Sequence, residues 1–122
     1  MTAQIRLDRE DQELAREALA YVSRRVYDQR GSEIIGDLED RLDRLLLSKV
    51  GPGPGDLTMP AAHLRAFRSA LDAYTEALDH PSTDQSNRVR IARMRRITKR
   101  AAVQGRWPAR AWNRLRAFLR RR

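Results

Sequence analysis

Leu64, Phe67, Leu71, Tyr74 and Leu78 follow one another at steps of three, four, three and four residues. That spacing puts every large apolar side chain on one stripe of an α-helix and would scatter them over both faces of a strand. Ala66, Ala70, Ala73 and Ala77 sit beside the stripe. The spacing predicts a helix that starts after Thr58-Met59-Pro60, where proline is tolerated in the first turn, and stops at His80-Pro81. Leu14, Ala15, Ala18, Leu19, Tyr21, Val22 and Val26 form a similar stripe behind an N-cap candidate at Asp8, with Gly31 read as the left-handed terminator. Ile35, Leu38, Leu42 and Leu45 make a second helix from a cap at Ser32. Gly51-Pro52-Gly53-Pro54-Gly55 reads as a turn between packed helices. A capping box at Ser82 and Gln85 opens a fourth helix to about Val103; Gly105 breaks it, and Pro108 starts a fifth through Leu119.

These spacings predict no strand and no internal repeat beyond helical periodicity. The expected fold is a single all-α domain over 1–122, a bundle of four to five helices with a basic C-terminal helical pair. Residues 1–81 form an acidic helical hairpin plus the third helix, and 82–122 form the Arg-rich fourth and fifth. The expected core contains Leu14, Leu38, Leu42, Leu64, Phe67, Leu71, Tyr74, Met94 and Ile97.

Charge divides the chain unevenly. Residues 1–81 hold 11 Lys and Arg against 15 Asp and Glu, whereas 82–122 hold 14 basic residues and one acid, Asp84. The net charge of +9 therefore leaves basic surface that the acidic part cannot match. The densest stretch is Ser86–Arg100, SNRVRIARMRRITKR, with seven basic residues and no acid.

On a helical wheel, Ile91, Met94, Ile97, Thr98, Ala101 and Ala102 share one side of this stretch. Arg88, Arg93, Arg95, Arg96, Lys99 and Arg100 fill an arc of about 160° opposite, and Arg90 lies at the apolar edge. The apolar stripe is expected to dock while a six-cation ridge faces outward. The fifth helix repeats the design, with Trp112, Leu115, Phe118 and Leu119 on one face and Arg110, Arg114, Arg116, Arg120 and Arg121 around the rest. Nucleic-acid phosphates suit such a surface, because Arg donates in a bidentate fork and displaced counterions drive binding. Arg outnumbers Lys 23 to 2, which fits that geometry and fits a GC-rich genome as well. Trp107 and Trp112 are available to stack on bases or to clasp the fifth helix in place.

Other chemistry is poorly supplied. The chain has no cysteine, and its only histidines, His63 and His80, fall at opposite ends of the third helix, about 25 Å apart. They cannot share a metal or act as a catalytic pair, and His80 reads as a cap favoured by the helix dipole. Glu33, Asp37, Asp40 and Asp43 form a carboxylate stripe, but Arg41 and Arg44 are interleaved with it, so a solvated, self-paired face is expected. The glycine-proline run lacks the Lys-Ser/Thr pair of a phosphate loop. No enzyme, metal or cofactor is expected. Without an apolar run of membrane-span length, and with an acidic start MTAQIRLDRED, the expected setting is cytoplasmic.

In outline, a compact, basic, all-helical chain of this length is similar to the small subunits of CRISPR effector complexes. That resemblance implies a non-catalytic subunit stacked in several copies along nucleic acid. GRWPARAWNRL, from Gly105 to Leu115, looks like the segment after the recognition helix of phage-type helix-turn-helix repressors, with Trp107 where that family has Ile. It implies a DNA-binding regulator. A third class is a peripheral membrane or protein-interaction adaptor built on basic amphipathic helices. The first reading is favoured: an RNA- or DNA-binding subunit of a ribonucleoprotein-type assembly, indifferent to sequence and not membrane-bound. The acidic surface of the first two helices is expected to dock on the basic end of a neighbouring copy, giving an open file of subunits.

Overall fold

A computed structural model describes residues 2–47 and 55–104. The chain runs β1 (Thr2–Leu7), α1 (Arg9–Ser23), α2 (Gln29–Leu47), β2 (Gly55–Pro60), a 3-10 turn (Ala61–His63), α3 (Leu64–Leu78) and α4 (Gln85–Gln104). It is mostly helical, and β1 and β2 form a small antiparallel sheet in which Ile5 faces Leu57. The expectation of an all-α chain is therefore corrected.

The strands obey a period-two rule hidden by their shortness. Ala3, Ile5 and Leu7 are buried while Thr2, Gln4 and Arg6 are exposed, and Leu57 and Met59 are buried between exposed Asp56 and Thr58. A two-stranded ribbon is marginal in water; this one is held by the helices covering its apolar face. Two arginines also tie helices to it. Arg41 Nη1 of α2 donates to the Thr58 carbonyl at 3.0 Å, and Arg100 Nη1 of α4 to the Arg6 carbonyl at 3.2 Å.

The β-α-α order occurs twice, so the expectation of no internal repeat is also corrected. Ile5 and Leu57, Leu7 and Met59, Ala15 and Phe67, Ala18 and Ala70, and Leu19 and Leu71 are buried pairs, each 52 positions apart. In the second helices the offset is 56, matching Ile35 with Ile91 and Leu38 with Met94. Nearly all the expected core residues are buried, Phe67, Leu71, Met94 and Ile97 fully; Tyr74 is half-buried.

Helix boundaries follow the caps. Asp8 opens α1 by accepting the Asp11 N–H at 2.8 Å. α1 ends at Ser23, earlier than expected, because Asp28 caps α2 by accepting the Gly31 N–H at 2.8 Å. Gly31 thus lies inside the first turn of α2, where a Cβ would come within 2.9 Å of Val26 and Asp28. Close approach selects glycine there, not a left-handed terminator. Likewise Asp84, not Ser82, caps α4, accepting the Asn87 N–H at 2.9 Å. The Ser82 hydroxyl is instead engaged with the His80 imidazole at 2.7 Å. Pro60 ends β2 and also stands at the N-cap of the 3-10 turn that runs into α3. The expected fifth helix, with Trp107, Trp112, Arg110, Arg114 and Arg116, lies outside the described residues, as does most of the glycine-proline run.

Candidate nucleic-acid interface

α4 docks through Met94, Ile97 and Ala101, all buried in the core, and through Ile91 beside it. That part of the sequence reading holds. The opposite arc is not a uniform ridge, because three of the seven cations of α4 are engaged by α1. Arg93 is the most deeply held. Its Nη1 donates to Asp11 Oδ1 at 3.0 Å and to Asp8 Oδ2 at 3.2 Å, and its Nη2 lies 2.6 Å from Glu10 Oε2. Arg100 Nη1 donates to the other oxygen of Asp11 at 3.2 Å. Arg90 pairs with Glu17 and reaches the Tyr74 hydroxyl at 3.4 Å.

Asp11 explains the arrangement. Its side chain is 3% exposed, and a buried carboxylate without cationic partners would be strongly destabilising. The hydrogen bond to Asp11 raises the pKa of Arg93, which stays charged. The N-cap bond from the Asp11 amide, with the nearby Arg93 charge, holds Asp8 below the ordinary carboxylate range. Arg93 closes over the first turn of α1 and is only partly exposed, which corrects the expectation that it faces outward; Arg100 also pairs with Asp11 but stays exposed.

The remaining cations point to solvent. Arg88, Arg96 and Lys99 are exposed and have no carboxylate partner among the described residues, and exposed Arg95 is 3.6 Å from Asp79. Arg88, Arg95 and Lys99 stand seven and four residues apart with Ala92 between them, a single stripe about 16 Å long. Arg88 and Arg95 flank an open cleft of about 560 Å³, with Ile91, Ala92, Asp79 and His80 among its walls.

The carboxylates of α2 are largely committed within the chain. Arg16 of α1 holds Asp43 at 2.7 Å and also pairs with Glu39. The hydrogen bond to Asp43 raises the pKa of Arg16. Asp37 accepts from Arg41 at 2.8 Å and lies 3.0 Å from His63 Nδ1. Burial opposes ionisation of Asp37, but Arg41 and then His63 outweigh it and lower its pKa. Glu33 accepts from Gln29 at 3.2 Å, and Asp40 is exposed without a cationic partner among the described residues. Self-pairing was expected from Arg41 and Arg44; the larger share comes from Arg16 across the helix pair.

Sequence reasoning missed an aromatic and basic loop between α1 and α2. Tyr27 there is 93% exposed, and Arg24, Arg25 and Arg30 around it are exposed as well. The signal was the run Arg24-Arg25-Val26-Tyr27, which had been absorbed into the tail of the first helix. Among the described residues there is no group of three or more His, Asp and Glu placed to hold a metal ion, and no helix long and apolar enough to cross a membrane. The described residues form a β-α-α-β-α-α arrangement with a cationic face on α4. Comparisons with family models, curated proteins and solved structures found no match.

Proposed function

We propose that the chain is a non-catalytic nucleic-acid-binding subunit of a nucleoprotein assembly, contacting the phosphate backbone of RNA or DNA without reading its sequence. The observation that carries this reading is the surplus on α4. Its inward cations satisfy the acids of α1, and Arg88, Arg96 and Lys99 remain at the surface without carboxylate partners among the described residues. Counted over the described residues, 17 basic and 16 acidic side chains nearly cancel, whereas residues 105–122 add seven arginines and no acid. Arg110, Arg114 and Arg116 belong to that addition and extend the proposed contact. The unbroken course of α4 favours backbone tracking over a helix-turn-helix reader. A place beside the small subunits of CRISPR effector complexes rests on outline alone and is the narrower form of the proposal.

The test is retention of single-stranded and duplex oligonucleotides over a range of salt. Arg88→Glu, Arg96→Glu and Lys99→Glu together are expected to abolish retention near physiological salt. Milder replacement of the three by Gln should make the slope of log K against log salt shallower by about 2 on a single strand. Stability should change by no more than about 0.5 kcal/mol per site. An unchanged slope would remove these residues from the interface. Strong preference for one duplex sequence would favour the regulator reading, and co-sedimentation with anionic vesicles at the same salt the membrane reading. Stoichiometry that grows with strand length would support several copies per strand.

A further inference from the structure

The loop that carries Tyr27 is firmly built. Val26 packs against the core, and the Arg25 N–H donates to the Val22 carbonyl at 2.8 Å. On the other side the carboxylate of Asp28, the only acid of the loop, accepts the Gly31 N–H at 2.8 Å, and the Asp28 backbone carbonyl accepts the Ser32 N–H at 3.0 Å. Between two anchored neighbours the phenol ring is held out in solvent. Arg25 is placed as well: its guanidinium lies 3.6 Å from the Tyr21 ring centroid and donates to the Tyr21 carbonyl at 2.8 Å. Tyr21 in turn meets Tyr74 at 5.2 Å between centroids, which brings the ends of α1 and α3 together. The loop therefore leaves the same end of the molecule at which α4 begins.

A single exposed apolar residue is unremarkable, but an aromatic ring held outward among three exposed arginines has the composition of a base-stacking site. We propose that Tyr27 stacks on an unpaired base of single-stranded nucleic acid while Arg24, Arg25 and Arg30 take the adjoining phosphates. This rests on the backbone-binding reading above and adds that the ligand is single-stranded. Every base has a π-face, so stacking adds affinity without sequence preference. Bases within a duplex are already stacked on one another and cannot cover the ring.

The experiment compares the full chain and its Tyr27 variants on a single strand, an abasic strand of equal length and charge, and a duplex. Tyr27→Ala is expected to weaken single-strand binding by about five- to 150-fold, with the salt slope unchanged because no cation is removed. Tyr27→Trp should bind as well as the parent, and on the abasic strand Tyr27→Ala should match the parent. If the parent retains the single strand and Tyr27→Ala binds it equally, or loses the abasic strand equally, the stacking proposal is overturned while backbone binding stands. If the parent retains no strand, both fall.

Discussion

The two β-α-α halves place the same kinds of residue in the same places and then charge them differently. Asp11 of α1 is held by Arg93 of α4; 52 and 56 positions away, His63 is held by Asp37 of α2. An acid clamped by a base in one half is thus a base clamped by an acid in the other. The surroundings differ too, since Asp11 is 3% exposed whereas Asp37 is 36% exposed. On α2, most carboxylates meet cations of the same chain. On α4, cations outnumber the acids that need them. A cationic helix is not in itself an interface; the part left after internal pairing is the candidate.

That contrast breaks most visibly at Arg93. Arg93→Ala leaves Asp11 buried with Arg100 as its remaining guanidinium, and is expected to cost about 3–5 kcal/mol in denaturant unfolding. A cost below about 1 kcal/mol would mean that Asp11 is not buried as described. Next come Leu19 and Leu71, equivalent positions that are both fully buried. Each change to Ala should cost about 2–5 kcal/mol, and a large imbalance between them would show that the halves do not share the core evenly. His63→Ala, the counterpart of removing an Asp11 partner, should cost about 1 kcal/mol or less, because Asp37 keeps Arg41 and reaches solvent.

The smallest expected effect is a pH dependence. Asp8 and Asp37 have depressed pKa values, so in acid the unfolded chain binds more protons than the folded one. Their contribution is complete above the ordinary carboxylate value of about 3.9 and is lost as pH falls below it. Melting temperatures should be level from neutral pH to about 5 and fall below about 4, with a smaller fall in Asp37→Asn.

The helices were legible because a three-four stripe is a local signal, and each stripe names its own buried face. The strands were less so. Ala3-Ile5-Leu7 alternates as a half-buried strand should, but it spans only six residues, and its partner lies across the chain between glycine and a terminal proline. The inward turn of Arg93 left one trace. Asp11 falls on the stripe of Leu14, Ala15 and Ala18, and a carboxylate on a buried face demands a cation. What no spacing disclosed was which cation, because α1 and α4 meet only after the chain has closed on itself. Tyr27 was hidden because the apolar stripe of α1 continues in the sequence through Val26, although the helix itself ends at Ser23.

A sheet of two strands has nothing but rims, and a bare rim is a template on which another chain's strand can lie down. Here Arg41 reaches the Thr58 carbonyl on one strand and Arg100 the Arg6 carbonyl on the other, so each strand has an acceptor already taken from within. The bulky, charged side chains that occupy them would have to be displaced before a foreign strand could approach. Arg100 therefore covers one acceptor on the rim of the sheet as well as pairing with Asp11.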